Sequence, residues 1–138
     1  MEPDFSQLKF FKREEFACSS SGEALMDANF LRALEEIREA LGEPMFITSA
    51  YRSDQHPITQ SKIDKGGAHG GAHHLGLAVD VHCAGSKAMK IIALAVDNNA
   101  INGIGIKQNG AWNSRFVHLD SVPFENNFGL TRPALWSY

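Results

Sequence analysis

The chain has 138 residues, of which 43% are hydrophobic and 21% are charged, and its formal net charge is −3 at pH 7. This length predicts one domain over residues 1–138, and the composition excludes a disordered chain and a collagen-like repeat. The basic residues are scattered, which argues against a nucleic-acid partner, and the longest apolar run, 91–96, is too short to span a bilayer. No basic segment followed by an apolar stretch opens the sequence, so we expect no secretory signal. Cys18 and Cys83 are too few for a disulfide framework, and we expect two reduced thiols.

The first half of the chain predicts a helix, a strand and a long loop. Apolar residues at helical spacing between Asp27 and Gly42 predict a helix that Asp27 caps and Gly42 ends. The β-prone run 45–51 predicts a strand. The polar, glycine-rich stretch 52–72 predicts a loop of about twenty residues, a length that in compact domains is usually functional or disordered.

The second half predicts two strands joined by a hairpin, preceded by a strand and a helix. Period-two alternation over 75–82 predicts the first strand, with a core face and a face of small and polar groups. A helix follows over 86–99. The residues of this helix predicted to face the core are Met89, Ile92, Ala93 and Val96. The segments 104–107 and 115–120 predict strands, and Asn109-Gly110 is a strong turn signal between them. The aromatic tail that follows carries no pattern that assigns it a place.

Two pairs of chemistry-bearing side chains lie on the predicted strands: Asp80 with His82, and His118 with Asp120. Residues two apart share one face of a strand, so these four side chains converge if the strands are neighbours. His73, at the end of the glycine-rich loop, is placed to fold back over the same face. Three ligands drawn from histidine and aspartate suit a catalytic zinc ion, since they leave a fourth position for water. From spacing alone, exposed loop histidines and a structural Asp80 remain an open alternative.

Four segments resemble the zinc D-Ala-D-Ala carboxypeptidases and murein endopeptidases, metallopeptidases grouped with lysostaphin-type enzymes and the hedgehog signalling domain. The segments are Ser-Ala-Tyr-Arg-Ser at 49–53, Gly-Gly-Ala at 66–68, His-His-Leu-Gly-Leu-Ala-Val-Asp-Val at 73–81 and Phe-Val-His-Leu-Asp at 116–120. The family pattern is S-x-H-x-x-G-x-A-x-D followed later by W/F-V-H, and the resemblance runs from about Phe10 to Asp120. It implies an α+β fold, in which a small antiparallel sheet has helices packed on one side and a zinc site in a groove on the other.

The resemblance also implies an activity and a set of site residues. The activity is hydrolysis of peptide bonds of peptidoglycan, as a carboxypeptidase or an endopeptidase. Residue by residue, it implies that His73, Asp80 and His118 bind Zn²⁺; His74 becomes the ligand only if the register shifts by one, and the G-x-A-x-D spacing favours His73. Arg52, in Tyr-Arg-Ser, is implied to bind a carboxylate or carbonyl oxygen of the substrate, a task that suits a guanidinium. The alternative for Arg52 is a salt bridge between the long loop and the core.

The sequence departs from the family pattern at the general base. Many relatives carry a carboxylate three residues before the last metal histidine, and some carry a histidine two before it; Arg115 and Phe116 stand at these positions. Arginine cannot accept a proton from water because its pKa exceeds about 12. Asp120 is the nearest replacement, either as the base or, the role we favour, as the residue that orients the His118 ring. His82 is a second candidate for base or electrophilic helper, with an exposed strand-end histidine as its favoured alternative.

Three functions follow from this resemblance and its departure. The first is a monomeric zinc peptidase that acts on peptidoglycan in the periplasm or cell wall; a phage lysin delivered by a holin or a virion would explain the missing signal. The second is a non-catalytic zinc-binding module that recognises cell-wall or protein ligands, which Arg115 motivates. The third is a structural phage or host protein that has lost the metal, and the three retained ligand positions argue against it.

Overall fold

Five strands and three α-helices form an α+β fold in the computed structural model, which describes Met1–Tyr138. The helices are α1 (Ala28–Leu41), α2 (Pro57–Asp64) and α3 (Gly85–Val96). The strands are β1 (Phe46–Ser49), β2 (Ala78–His82), β3 (Gly103–Lys107), β4 (Phe116–Asp120) and β5 (Ala134–Ser137). The sheet has the order β1-β2-β4-β3-β5, and its neighbours are antiparallel except for β3 and β5. None of the helices has the length and hydropathy that a bilayer span requires.

Helix α1 begins and ends where the sequence predicts. The Asp27 carboxylate accepts a hydrogen bond from the Phe30 N–H at 2.9 Å, which satisfies a donor of the first turn. Gly42 ends the helix at φ +70°, the left-handed conformation that favours glycine. The face between these caps is apolar, and Leu34 and Ile37 are buried in the core.

The alternation predicted for the two central strands is confirmed, and it separates the core from the site. Val79 and Val81 of β2 and Val117 and Leu119 of β4 are fully buried in the cluster that includes the inner faces of α1 and α3. Successive side chains of a strand point to opposite faces, so the residues between them lie on the other side of the sheet. The sheet therefore has its core helices on one side and its polar residues on the other, as expected.

The predicted loop 52–72 is wrong over part of its length, because it contains α2. His56 Nδ1 accepts the Ile58 N–H at 3.1 Å and Pro57 occupies the first turn, so the helix has an N-cap and a favoured first residue. Only Thr59 of this helix is buried. A helix with a single buried residue has no apolar stripe, and the periodicity that reveals α1 is absent from it.

The inward face predicted for the helix after β2 is wrong at Met89, Ala93 and Val96, and only Ile92 packs, half-buried, against the core. Met89 and Val96 are 72% and 70% exposed, whereas Ala88, Ile91 and Ala95 are buried. The apolar residues of α3 are spread over more than one face, so the pattern permits more than one inner face. The connection between β3 and β4 is longer than a two-residue hairpin, since it holds a 3₁₀ turn at Trp112–Ser114.

Candidate metal centre

Three side chains that could hold a metal ion meet on the polar face of the sheet. Asp80 on β2 and His118 on β4 are direct partners in the antiparallel register, so their side chains are neighbours. His73 lies in the turn that leads into β2. This turn depends on Gly76, which has φ +73° and whose missing Cβ would overlap the Leu25 carbonyl oxygen. The ligand atoms of the three residues all lie within 4.8 Å of one another.

Hydrogen bonds fix which ring nitrogen each histidine presents. His73 Nδ1 donates to the Ala50 carbonyl oxygen at 2.8 Å, which leaves Nε2 at 3.3 Å from Asp80 Oδ1. His118 Nε2 lies 2.8 Å from Asp120 Oδ2, which leaves Nδ1 at 3.1 Å from the same Asp80 oxygen. The two rings therefore direct one nitrogen each toward one carboxylate, and each ring is held from behind by an acceptor.

This donor set fits a zinc ion. Zinc ligands at about 2.0–2.1 Å in a tetrahedron are separated from one another by about 3.3 Å, and the histidine nitrogens lie 3.3 Å and 3.1 Å from Asp80 Oδ1. The side chains of His73 and His118 are 7% exposed and that of Asp80 is 13% exposed. Two imidazoles and one carboxylate leave a fourth position open, as catalytic zinc sites do.

The electrostatics of the cluster favour the protonation states that bind metal at two of the three ligands. Burial lowers the pKa of His73, which favours the neutral ring. Burial alone would raise the pKa of Asp80, but hydrogen bonds with His118 and His73 hold that pKa well below its usual range. Burial also opposes the charge on His118, and its hydrogen bonds to Asp120 and Asp80 outweigh burial and raise its pKa. Metal binding at His118 therefore displaces a proton.

Asp120 lies behind His118 and is fully buried. Besides the His118 ring, its carboxylate accepts two hydrogen bonds from Arg132, with Nε at 2.9 Å from Oδ1 and Nη2 at 2.7 Å from Oδ2. The Val122 N–H adds a fourth contact at 3.3 Å. Burial opposes the charge, but His118 and Arg132 outweigh it and lower the pKa of Asp120. Both carboxylate oxygens of Asp120 are therefore engaged in hydrogen bonds, an arrangement that suits a residue that orients the His118 ring.

Arg52 lies beside the cluster on the loop after β1. Its Nη2 is 3.4 Å from Asp80 Oδ2, its Nε donates to Ser49 Oγ at 3.0 Å, and its side chain is 13% exposed. The same side chain lines a pocket of about 320 Å³ whose lining also includes the three candidate ligands. Arg52 thus forms a salt bridge between the long loop and a strand of the sheet, which is the alternative to substrate binding. It also faces the pocket that a substrate would occupy.

The remaining walls of this pocket come from residues that the sequence did not single out. Lys62 of α2 adds a second positive charge, and Leu130, Arg132, Trp136 and Tyr138 come from the C-terminal segment. The aromatic character of the tail is visible in the sequence, but its place is set by pairing of β5 with β3. No local pattern signals a pairing between segments this far apart.

His82 and Arg115 are not brought to the candidate ligands. Neither residue lines the pocket, and His82 Nδ1 lies 3.1 Å from the Arg115 carbonyl oxygen. The Arg115 guanidinium donates to the Gly110 carbonyl oxygen and lies 5.0 Å from the centre of the Trp112 ring. The Arg115 side chain therefore makes surface contacts and does not reach the candidate ligands.

The other three histidines have local partners outside the cluster. His74 Nε2 lies 2.6 Å from Asp54 Oδ1, and its Nδ1 accepts the Gly70 N–H at 2.9 Å. His69 contacts the Phe128 carbonyl oxygen at 2.7 Å, and His56 is the cap of α2. The structure therefore places His73, and not His74, with Asp80 and His118.

Comparison with known proteins agrees with this geometry. A model of the family described as Peptidase M15 matches residues 9–120 of the chain. M15 peptidases are zinc-dependent, and the cluster of His73, Asp80 and His118 falls inside the matched region. The match ends at Asp120, so β5 lies after it. No curated protein matches the sequence.

Proposed function

Because the chain belongs to the peptidase M15 family, we propose that it is a zinc-dependent hydrolase of peptide bonds in peptidoglycan, with His73, Asp80 and His118 as the metal ligands. The observation that carries the proposal is the convergence of these three side chains in a pocket of about 320 Å³. The substrate is a stem or cross-bridge peptide, cut either at a terminal D-alanine or within the chain.

The side chains proposed as ligands are already oriented toward a common point. A zinc ion held by His73, Asp80 and His118 would polarise a carbonyl group and lower the pKa of water toward about 7. His73 and His118 hold their ring orientation through the Ala50 carbonyl and the Asp120 carboxylate, so the ligand atoms need no rearrangement. We assign Asp120 the orienting role, because the His118 and Arg132 contacts occupy its two oxygens.

Arg52 and Lys62 give the pocket its affinity for negatively charged oxygen. Arg52 contacts Asp80 through Nη2 at 3.4 Å and Ser49 through Nε, whereas its Nη1 makes no hydrogen bond within the protein and is free to donate to a substrate oxygen. Burial and the nearby Arg52 charge lower the pKa of Lys62. Both cations suit a carbonyl oxygen that gains negative charge during hydrolysis, or a carboxylate of the substrate.

A second candidate function, a zinc-binding recognition module without catalysis, rests on a specific observation. Asp80 carries the only acidic side chain among the residues that line the pocket, and it is a metal ligand in the proposal. Arg115 occupies the usual base position and lies outside the pocket. A pocket without a free proton acceptor binds a peptide but hydrolyses it slowly.

Incubation of the zinc-loaded protein with purified peptidoglycan separates the two functions. Hydrolysis predicts new free amines and, by mass spectrometry, either released D-alanine from a carboxypeptidase or shortened cross-linked muropeptides from an endopeptidase. His118→Ala is the inactive control, and His74→Ala, a histidine with partners outside the pocket, is the matched control that retains activity. Retention of the wild-type protein on peptidoglycan without any cleavage would reject the hydrolase and favour the recognition module.

A further inference from the structure

The C-terminal segment that follows the family match reaches back to the candidate metal centre. Strand β5 pairs in parallel with β3, and this register places Trp136 opposite Gly105. Gly105 is in turn the direct partner of His118 across β3 and β4. Three neighbouring strands thus carry His118, a glycine and Trp136 in one row, so Trp136, which follows the matched region, packs against His118 within it.

Arg132 binds the Asp120 carboxylate, which in turn is hydrogen-bonded to the His118 ring. Its guanidinium donates two hydrogen bonds to Asp120, one to each oxygen, at 2.9 Å and 2.7 Å. The side chain of Arg132 is 9% exposed and that of Asp120 is fully buried. A bidentate pair fixes the carboxylate plane as well as its position. Since Asp120 Oδ2 lies 2.8 Å from His118 Nε2, that plane sets the direction in which the ring presents Nδ1.

Trp136 packs against both His118 and Arg132. Its ring centroid lies 5.1 Å from that of His118, and the Arg132 guanidinium lies 5.2 Å from the Trp136 ring. A Cβ at Gly105 would lie 2.6 Å from the indole, and one at Gly103 would overlap the Asp120 carboxylate. Glycine at both positions of β3 makes the room that Trp136 and Asp120 occupy.

We propose that Arg132 and Trp136 are positioning residues of the metal centre, which fix the His118 ring through Asp120 and by direct packing. The inference rests on the ligand set of the proposed function, and it extends that site beyond the region that the family model matches. Residues that orient a metal-bound histidine commonly change metal affinity 10–100-fold when they are replaced.

Zinc affinity, measured by competition with a chromogenic chelator, tests the proposal without any substrate. We expect Arg132→Met to bind zinc about 10–100-fold more weakly than the wild type. Arg132→Lys keeps the charge and loses the two-pronged fork, so it should restore part of that loss. The matched control is Arg32→Met, since Arg32 lies on the exposed face of α1 and bonds only to Asn29. Equal zinc affinity in Arg132→Met and the wild type would overturn the proposal.

A spectroscopic readout covers the case in which a variant folds poorly or the wild type retains no zinc. In the zinc-free protein, the His118 Nε2 proton is buried and bonded to Asp120, so it should give a downfield proton resonance that exchanges slowly. We expect Trp136→Phe to preserve the fold by circular dichroism but to broaden this resonance, and Arg132→Lys to shift it. Unchanged resonances in both variants would refute the positioning role. A wild type that shows the resonance but binds no zinc would instead reject the ligand set, and with it the proposed function.

Discussion

Replacing Gly103 with alanine adds one methyl group at the point where β3 faces Asp120. The two residues are partners in the β3–β4 register, and the added Cβ would overlap both carboxylate oxygens. The carboxylate cannot move aside freely, because Arg132 and His118 hold it from two directions. Overpacking of a buried site costs about 1–3 kcal/mol. The displaced carboxylate should also carry the His118 ring away from its metal-binding orientation.

Two measurements on Gly103→Ala follow from this geometry. An unfolding entropy of about 2.1 cal/mol/K per residue converts the 1–3 kcal/mol into a melting temperature lower by about 3–10 °C for a chain of this size. Zinc affinity should fall about 10–100-fold, as it does when an orienting partner is lost. Calorimetry of the zinc-free protein gives the first value, and chelator competition gives the second.

Ile91→Val separates loss of stability from loss of positioning. Ile91 is fully buried on α3, on the helix side of the sheet, and its truncation should cost about 0.5–1.5 kcal/mol. This control should leave zinc affinity unchanged. A Gly103→Ala variant that loses stability as predicted and still binds zinc as tightly as Ile91→Val would refute the link between Asp120 and the His118 ring.

Three further predictions test separate parts of the account. His73→Ala should lose zinc while the adjacent His74→Ala retains it, as elemental mass spectrometry of the purified variants would show; the reverse result would put the register one residue off. Arg52→Ala should retain zinc and lower kcat/KM on peptidoglycan fragments, and wild-type turnover would exclude a role in substrate binding. Hydrogen bonding from Arg13 lowers the pKa of Glu2 from 4.5 to about 2, so this pair stabilises the fold above pH 4.5 and the contribution is lost as the pH falls through about 2. Glu2→Gln should therefore reduce the free energy of unfolding at neutral pH, by less than about 1 kcal/mol because the pair is partly exposed. The loss of unfolding free energy caused by Glu2→Gln, measured by urea titration, should be larger at neutral pH than near pH 2. An equal loss at both pH values would contradict a lowered pKa of Glu2.

The sequence predicts the parts of the centre that depend on local order. Alternation along a strand places Asp80 and His118 on the face opposite the valines, and the antiparallel register then makes them neighbours. The caps of α1 are equally local, since Asp27 and Gly42 act within one turn of the helix ends. Such features follow from residue type and spacing, so they are visible before any tertiary contact is known.

The parts that sequence reasoning missed depend on distant contacts. Arg132 and Trp136 reach the centre only through the parallel pairing of β5 with β3, and no short-range pattern encodes that pairing. The role of Asp120 also depends on a distant contact. Arg132 engages both of its carboxylate oxygens, which favours the orienting role over that of a base. Helix α2 has a cap and a proline in its first turn, but it lacks the apolar stripe that predicts an amphipathic helix from sequence.

The most direct test of the zinc centre is an anomalous difference map at the zinc edge from crystals of the zinc-loaded protein. We expect one strong peak, about 2.0–2.2 Å from His73 Nε2, an Asp80 carboxylate oxygen and His118 Nδ1. His118 Nε2 should remain bonded to Asp120 in the same map. A peak at other histidines, or no peak between these three side chains at full zinc occupancy of the solution, would contradict the account.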